Sequence, residues 1–172
     1  MEKKPKILLM DRCFTQTFEE ANLQEEFLSA CQKMNIEPVI TSPTGIKEHS
    51  VDTISDNLNF GSGTLKTIDA SGLGAYTEGE DEAIAVAKTI ENTWIGTFDE
   101  GAIKKCKYLG VNYIDHITFL LAMAELGVID KNKRDSIYKN WGTNISSQYP
   151  TLGDYLIGNK KEIKRKIKIL KS

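Results

Sequence analysis

The chain has 172 residues, 40% hydrophobic and 27% charged, with a formal net charge of −2, which is enough for one ordinary soluble domain plus a short appended element and too little for a second full domain. The total hides an asymmetry: the last thirteen residues, KKEIKRKIKILKS, hold seven Lys/Arg and one Glu, leaving 15 basic against 23 acidic residues, or −8, for residues 1–159. Cys13, Cys31 and Cys106 are far apart with no CxxC pair, which argues against a zinc site or a disulfide framework and for a reducing cytoplasm, and the apolar run in MEKKPKILLM is too short for a signal peptide or a membrane span.

Ile7 to Met10 are continuously apolar, so Lys6 to Met10 reads as a strand buried on both faces and closed by Asp11. From Phe18 to Asn35 the spacing is helical, with Phe18, Ala21, Phe27, Leu28, Cys31 and Met34 on one broad face. EPVITSP reads as a second strand. PTGIKEHSVDTI resumes a helix, with Ser42 or Thr44 as its cap and Pro43 near its start. Residues 57–79 are rich in Gly, Ser and Thr and read as loop and turns, with one short strand at TLKTI. Order resumes at Glu80 in a helix whose face is Ala83, Ile84, Val86, Ala87 and Ile90, followed by a strand at TWIGTF that ends near Asp99.

EGAIKKCKYLG is a short helix stopped by Gly110, VNYI a strand, and DHITFLLAMAELG an apolar helix capped by Asp115 and ended by Gly127. DKNKRDSIYKNW is a further amphipathic helix. NISSQYPTLGDYLIG reads as an irregular connector anchored by Tyr149 and Tyr155, and the basic end as a helix. Its face of Ile163, Ile167 and Leu170 suits docking on the body or on a second subunit, while its cations suit phosphate. The organisation is thus a body over 1–145 and a connector with basic amphipathic tail over 146–172.

Strands alternating with helices imply an α/β fold of three layers, α/β/α, around a central parallel sheet, with a basic C-terminal helix added. In such sheets ligands bind beyond the carboxyl ends of the strands. Asp11 and Asp99 each follow a strand, Glu80 opens the helix that leads into the second of these, and Glu48 lies on the helix after EPVITSP. Acids from separate elements that meet in one pocket repel one another unless cations neutralise them, and hard Mg2+ or Mn2+ prefers oxygen ligands.

The order of ILLMD, PTGIKE, GEDEAIAVA and IGTFDEGAIKKCKYLG resembles a PIN domain, the metal-dependent nuclease family that includes the toxins of toxin–antitoxin pairs. HITFLLAMAELGVIDK is similar to the final helix of a solitary PIN subfamily, and the likeness spans roughly residues 5–142. The resemblance implies a cytoplasmic endoribonuclease with a PIN-like fold, acting on RNA with Mg2+ or Mn2+ held by Asp11, Glu48, Glu80 and Asp99. It also implies an antitoxin or a defence setting, a homodimer, and no membrane. Asp81 and Glu82 compete with Glu80, and Glu100 with Asp99. DRCFT departs from the family, which places a small polar residue soon after the first aspartate, and so does Phe98, where a polar residue is usual.

Other residues invite plainer readings. His49 and His116 read as structural or exposed, and Cys13, lacking a partner His arrangement, as packing. Thr97, two residues before Asp99, either orients that carboxylate or a metal-bound water, or packs the strand. A PIN-like fold without turnover, binding RNA or protein, is the alternative function. A small phosphatase or nucleotide-binding protein finds no GxxxxGK[ST], GxGxxG or Cys-x5-Arg loop to support it.

Overall fold

The computed structural model describes residues 2–49, 58–141 and 152–172. Its strands are β1 (Lys6–Met10), β2 (Ile36–Ser42), β3 (Leu58–Phe60), β4 (Gly63–Asp69), β5 (Thr93–Gly96) and β6 (Asn112–Ile114). They form one six-stranded sheet in the order β3-β4-β2-β1-β5-β6, parallel throughout except where β3 pairs antiparallel with β4. The helices among the described residues are α1 (Arg12–Glu20), α2 (Gln24–Lys33), α3 (Thr44–His49), α4 (Gly79–Ala87), α5 (Glu100–Leu109), α6 (His116–Glu125), α7 (Lys131–Trp141) and α8 (Leu152–Lys171). None of these is long and apolar enough to cross a membrane.

The continuous apolar strands are explained by burial on both faces. Leu8, Met10, Ile40, Trp94 and Ile114 join one cluster with residues of α1, α2, α6, α7 and α8, whereas Leu9, Val39 and Ile95 join another with Ala83, Ile84 and Val86 of α4 and Cys106 of α5. The first cluster is dominated by aromatic rings: Phe27 stacks on Phe119 with centroids 4.5 Å apart, and Phe14 lies 5.1 Å from Phe18. A Cβ at Gly96 would sit 3.0 Å from ring carbons of Phe14, so the missing side chain is what lets α1 pack directly on β5.

Four features differ from the sequence reading. The single helix expected over Phe18–Asn35 is two. α1 starts at Arg12, capped by Asp11, and the chain turns at Asn22 in a left-handed conformation, φ 55°, before α2 begins. Residues 57–79 contain a hairpin in place of a lone strand, because buried Phe60 anchors β3 and Gly61, at φ 61°, makes the turn. The antiparallel β3 also makes the sheet mixed. The connector is helical from Leu152, so Tyr155 lies on α8; Tyr149 lies outside the described residues.

The tail docks on the body. Ile163, Ile167 and Leu170 are buried in the first cluster, Lys166 Nζ stands 3.4 Å from the centre of the Tyr113 ring, and the Tyr155 hydroxyl donates to Asp115 Oδ2 at 2.5 Å. One of the seven tail cations, Lys166, is therefore committed to packing and is not offered to solvent.

Candidate active site

The register of the two central strands sets the site. Met10 pairs with Gly96, so Asp11 and Thr97 leave the sheet side by side, and the Asp11 amide donates to the Gly96 carbonyl at 2.9 Å. Thr97 is fully buried; its hydroxyl donates to Asp11 Oδ2 at 2.9 Å and accepts from the Asp99 amide at 3.2 Å. The hydroxyl thus orients the carboxylate of Asp11 and the backbone, not the carboxylate, of Asp99. Each aspartate caps a helix: Asp11 Oδ1 accepts from the Arg12 amide at 2.9 Å, and Asp99 Oδ2 from the Ala102 amide at 2.8 Å. A carboxylate has roughly four acceptor sites, so both keep capacity for a further ligand.

Beside them, α3 and α4 hold each other by their N-termini. Glu48 of α3 accepts from the amide of Gly79, the first residue of α4, at 2.8 Å. In return Glu82 of α4, only 1% exposed, accepts from the amides of Thr44 and Gly45 at 2.9 and 2.8 Å. Unpaired amides at a helix start carry partial positive charge, which suits a carboxylate and accounts for a buried Glu in this position. A Cβ at Gly79 would fall 2.8 Å from Glu48 Cδ, so a larger residue here would push the carboxylate aside.

Glu80 takes the remaining place. Its side chain is 17% exposed, and Lys105 of α5 donates to Glu80 Oε1 at 2.9 Å and to Asp81 Oδ1 at 2.8 Å. Burial raises the Glu80 carboxyl above its ordinary range; Lys105 opposes this, while the charges of Asp99 and Asp11 add to it. Burial likewise raises Glu48, against the Gly79 amide and with help from Asp11, Glu78 and Glu82. At the carboxyl edge of the sheet the Asp11 charge therefore acts on both Glu48 and Glu80, and the Asp99 charge on Glu80. Among the competing acids, Glu82 faces α3, Asp81 shares Lys105, and Glu100 is exposed on the first turn of α5.

As the side chains stand, no three His, Cys, Asp or Glu among the described residues form a group that could hold a metal ion. Each carboxylate is instead engaged within the chain, by a backbone amide, the Thr97 hydroxyl or the Lys105 ammonium. The comparisons with known proteins are equally bare. No family model, curated protein or solved structure matches this chain.

Around the acids lie residues that the sequence left as background. His49 is half-buried, its Nε2 2.5 Å from the Thr15 hydroxyl and its Nδ1 2.8 Å from the Gly45 carbonyl, so it ties α1 to α3. Burial lowers its pKa, so the neutral ring is favoured. Cys13 is half-buried, with its Sγ 3.6 Å from Asp11 Oδ2; burial, and then the Asp11 charge, raise the thiol and keep it protonated. Phe98 lies against His116, ring centres 4.1 Å apart, and His116 in turn lies 5.0 Å from Trp141. His116 is thus a wedge between two rings; the sequence located it at the capping turn, but the rings come from β5's exit loop and α7 and were not legible there.

Proposed function

We propose that the chain is a PIN-like, Mg2+- or Mn2+-dependent endoribonuclease with Asp11, Glu48, Glu80 and Asp99 as metal ligands. The observation that carries this reading is the gathering of carboxylates from four elements at one sheet edge: Asp11 and the Asp99 amide share the Thr97 hydroxyl, and the Asp11 charge adds to burial in raising both Glu48 and Glu80. Oxygen-only donors suit a hard divalent cation, and helices against both sheet faces support the three-layer α/β/α arrangement. When bound, such a metal would supply positive charge for a phosphodiester and an acidified water. The chain's own part is positional: Thr97 fixes Asp11, the start of α5 fixes Asp99, and the start of α4 fixes Glu48. Exposed Lys160, Lys161, Lys164 and Lys168 would add sequence-independent affinity for an RNA backbone. A cytoplasmic setting, an antitoxin partner and a homodimer belong to the same reading.

A second reading has its own support. Every one of the four carboxylates already has a partner within the chain, and no ready-made metal group exists among the described residues, which favours a PIN-like RNA- or protein-binding module without turnover. One experiment separates the two. RNA and single-stranded DNA are incubated with wild type, Asp11→Asn and Asp99→Asn, each with Mn2+ and with chelator, and both cleavage and retention of the RNA are scored. Metal-dependent cleavage of RNA that both substitutions abolish supports the nuclease. Cleavage that persists in chelator or in both variants refutes it, and retention of RNA without cleavage by wild type supports the binding module.

A further inference from the structure

Although α8 buries one face on the body, a groove of about 430 Å3 remains between it, α6 and α7. Its floor is apolar, with Leu121 and Ala124 from α6 and Leu156, Ile157, Ile163 and Ile167 from α8. From Leu156 to Ile167 the floor follows α8 for roughly 16 Å, about three turns at 1.5 Å per residue. Ile157 is 84% exposed at one end, a large apolar side chain that none of the described residues covers.

The rim is cationic. Lys131, Arg134, Lys160 and Lys164 line it, with Glu125 as its one acid. Glu125 is paired with Lys171 at 3.4 Å and Arg134 with Asp135 at 2.9 Å, whereas Lys131, Lys160 and Lys164 are exposed and make no ion pair among the described residues. The free cations stand on both walls, from α7 and from α8, over an apolar strip three turns long. A nucleic acid would use the cations and leave the strip and Ile157 idle. A fatty-acid anion would bring one headgroup to three separated ammonium groups. A second copy joined groove to groove about a two-fold axis would set like charges against each other.

We propose that this groove docks an acidic amphipathic helix from a protein partner, its apolar stripe on Leu121, Ile157, Ile163 and Ile167 and its flanking carboxylates on Lys131, Lys160 and Lys164. This is helix-in-groove recognition, with the charges setting orientation and on-rate. It makes no use of the acidic edge but shares Lys160 and Lys164 with the cations assigned above to an RNA backbone, so peptide binding and RNA retention are scored separately.

The test uses the full chain and a fluorescein-labelled synthetic helix of roughly 18 residues, Leu at i, i+3, i+4 and i+7 spacing with Glu on both flanks. Its twin carries Lys for every Glu. Anisotropy titrations should show saturable binding of the acidic peptide, weakened by added salt, and none of the basic one. Ile157→Asp and the pair Lys160→Glu/Lys164→Glu each change exposed side chains, so the fold should persist by circular dichroism while the Kd rises about tenfold or more, some 1.4 kcal/mol. Absence of saturable binding, equal binding of the two peptides, or affinity unchanged in both variants overturns the proposal. So does displacement of the peptide by equimolar dodecanoate, a dimer in sedimentation that Ile157→Asp dissolves, or loss of RNA retention in the variants without peptide binding.

Discussion

His116 should make the protein acid-sensitive in a way that one substitution removes. The ring is 5% exposed between Phe98 and Trp141, and its Nδ1 has no hydrogen-bond partner among the described residues. Burial pushes its pKa down to about 4, with the neighbouring Asp115 charge opposing the fall. The neutral ring is favoured when folded, so as pH drops below about 6.5 the unfolded chain takes up the proton first and stability declines. The loss continues to about pH 4, below which both states are protonated. The gap between about 6.5 and about 4 is worth about 3 kcal/mol at 1.36 kcal/mol per pH unit. His116→Phe keeps an aromatic wedge and removes the titrating nitrogen. Urea denaturation of both proteins at pH 7, 5.5 and 4 should give similar stabilities at pH 7 and a variant more stable by about 3 kcal/mol at pH 4. Parallel pH profiles would refute the reasoning and mean that His116 is protonated, or solvated, in the folded state.

Glu82→Ala removes the acceptor of one buried and one partly buried backbone amide and should cost about 3 kcal/mol in urea denaturation, with Glu82→Gln milder because one acceptor oxygen survives; a change within experimental error would mean that water replaces the carboxylate. Gly79→Ala forces the new methyl against Glu48 and should destabilise by about 1–3 kcal/mol and, under the nuclease reading, depress RNA cleavage together with the Glu48 geometry. Lys105→Met frees Glu80 and Asp81, so Mn2+ titrated into the variant by calorimetry should bind about two- to fivefold more tightly, the range for an exposed ion pair; weaker binding would make Lys105 a positioner of Glu80 and not its competitor. Burial and neighbouring acids hold Glu48 and Glu80 above their ordinary range, so the folded chain binds their protons first and stability from this source falls as pH rises past about 4.5. Thermal melts of Glu48→Gln/Glu80→Gln should show that fall diminished, and an unchanged profile would exclude both groups as its origin.

Much of the framework could be read from residue patterns because the patterns are local. The unbroken run Ile7–Met10 demanded a strand buried on both faces, and Asp115 and Gly127 bounded an apolar helix by capping chemistry that needs no tertiary context. What escaped depended on distant partners. The break at Asn22 rests on one left-handed residue inside an otherwise helical stretch, and β3 on a three-residue strand whose anchor is the burial of Phe60. The acidic edge was legible to the level of elements, since strand ends in a parallel sheet point one way, but not to the level of oxygens. Three consecutive acids at 80–82 share one helical turn, and only the position of α3 decides that Glu82 turns inward to Thr44 and Gly45 while Glu80 meets Lys105. The groove beside α8 was hidden for the same reason: Ile163 and Ile167 looked like one apolar stripe, whereas the chain uses them both to dock and to floor a cleft.

The reciprocal hold between α3 and α4 makes two positions, 48 and 82, behave as one variable. Each carboxylate secures the start of the helix that carries the other, so slack introduced at either end returns through the second contact to its origin. Energies measured at the two sites should therefore fail to add, and the amides of Thr44, Gly45 and Gly79 should open to solvent exchange together. It follows that these acids cannot be judged one at a time. Glu82, by holding the start of α3, governs where Glu48 points, and a variant made at either position alone reports on both.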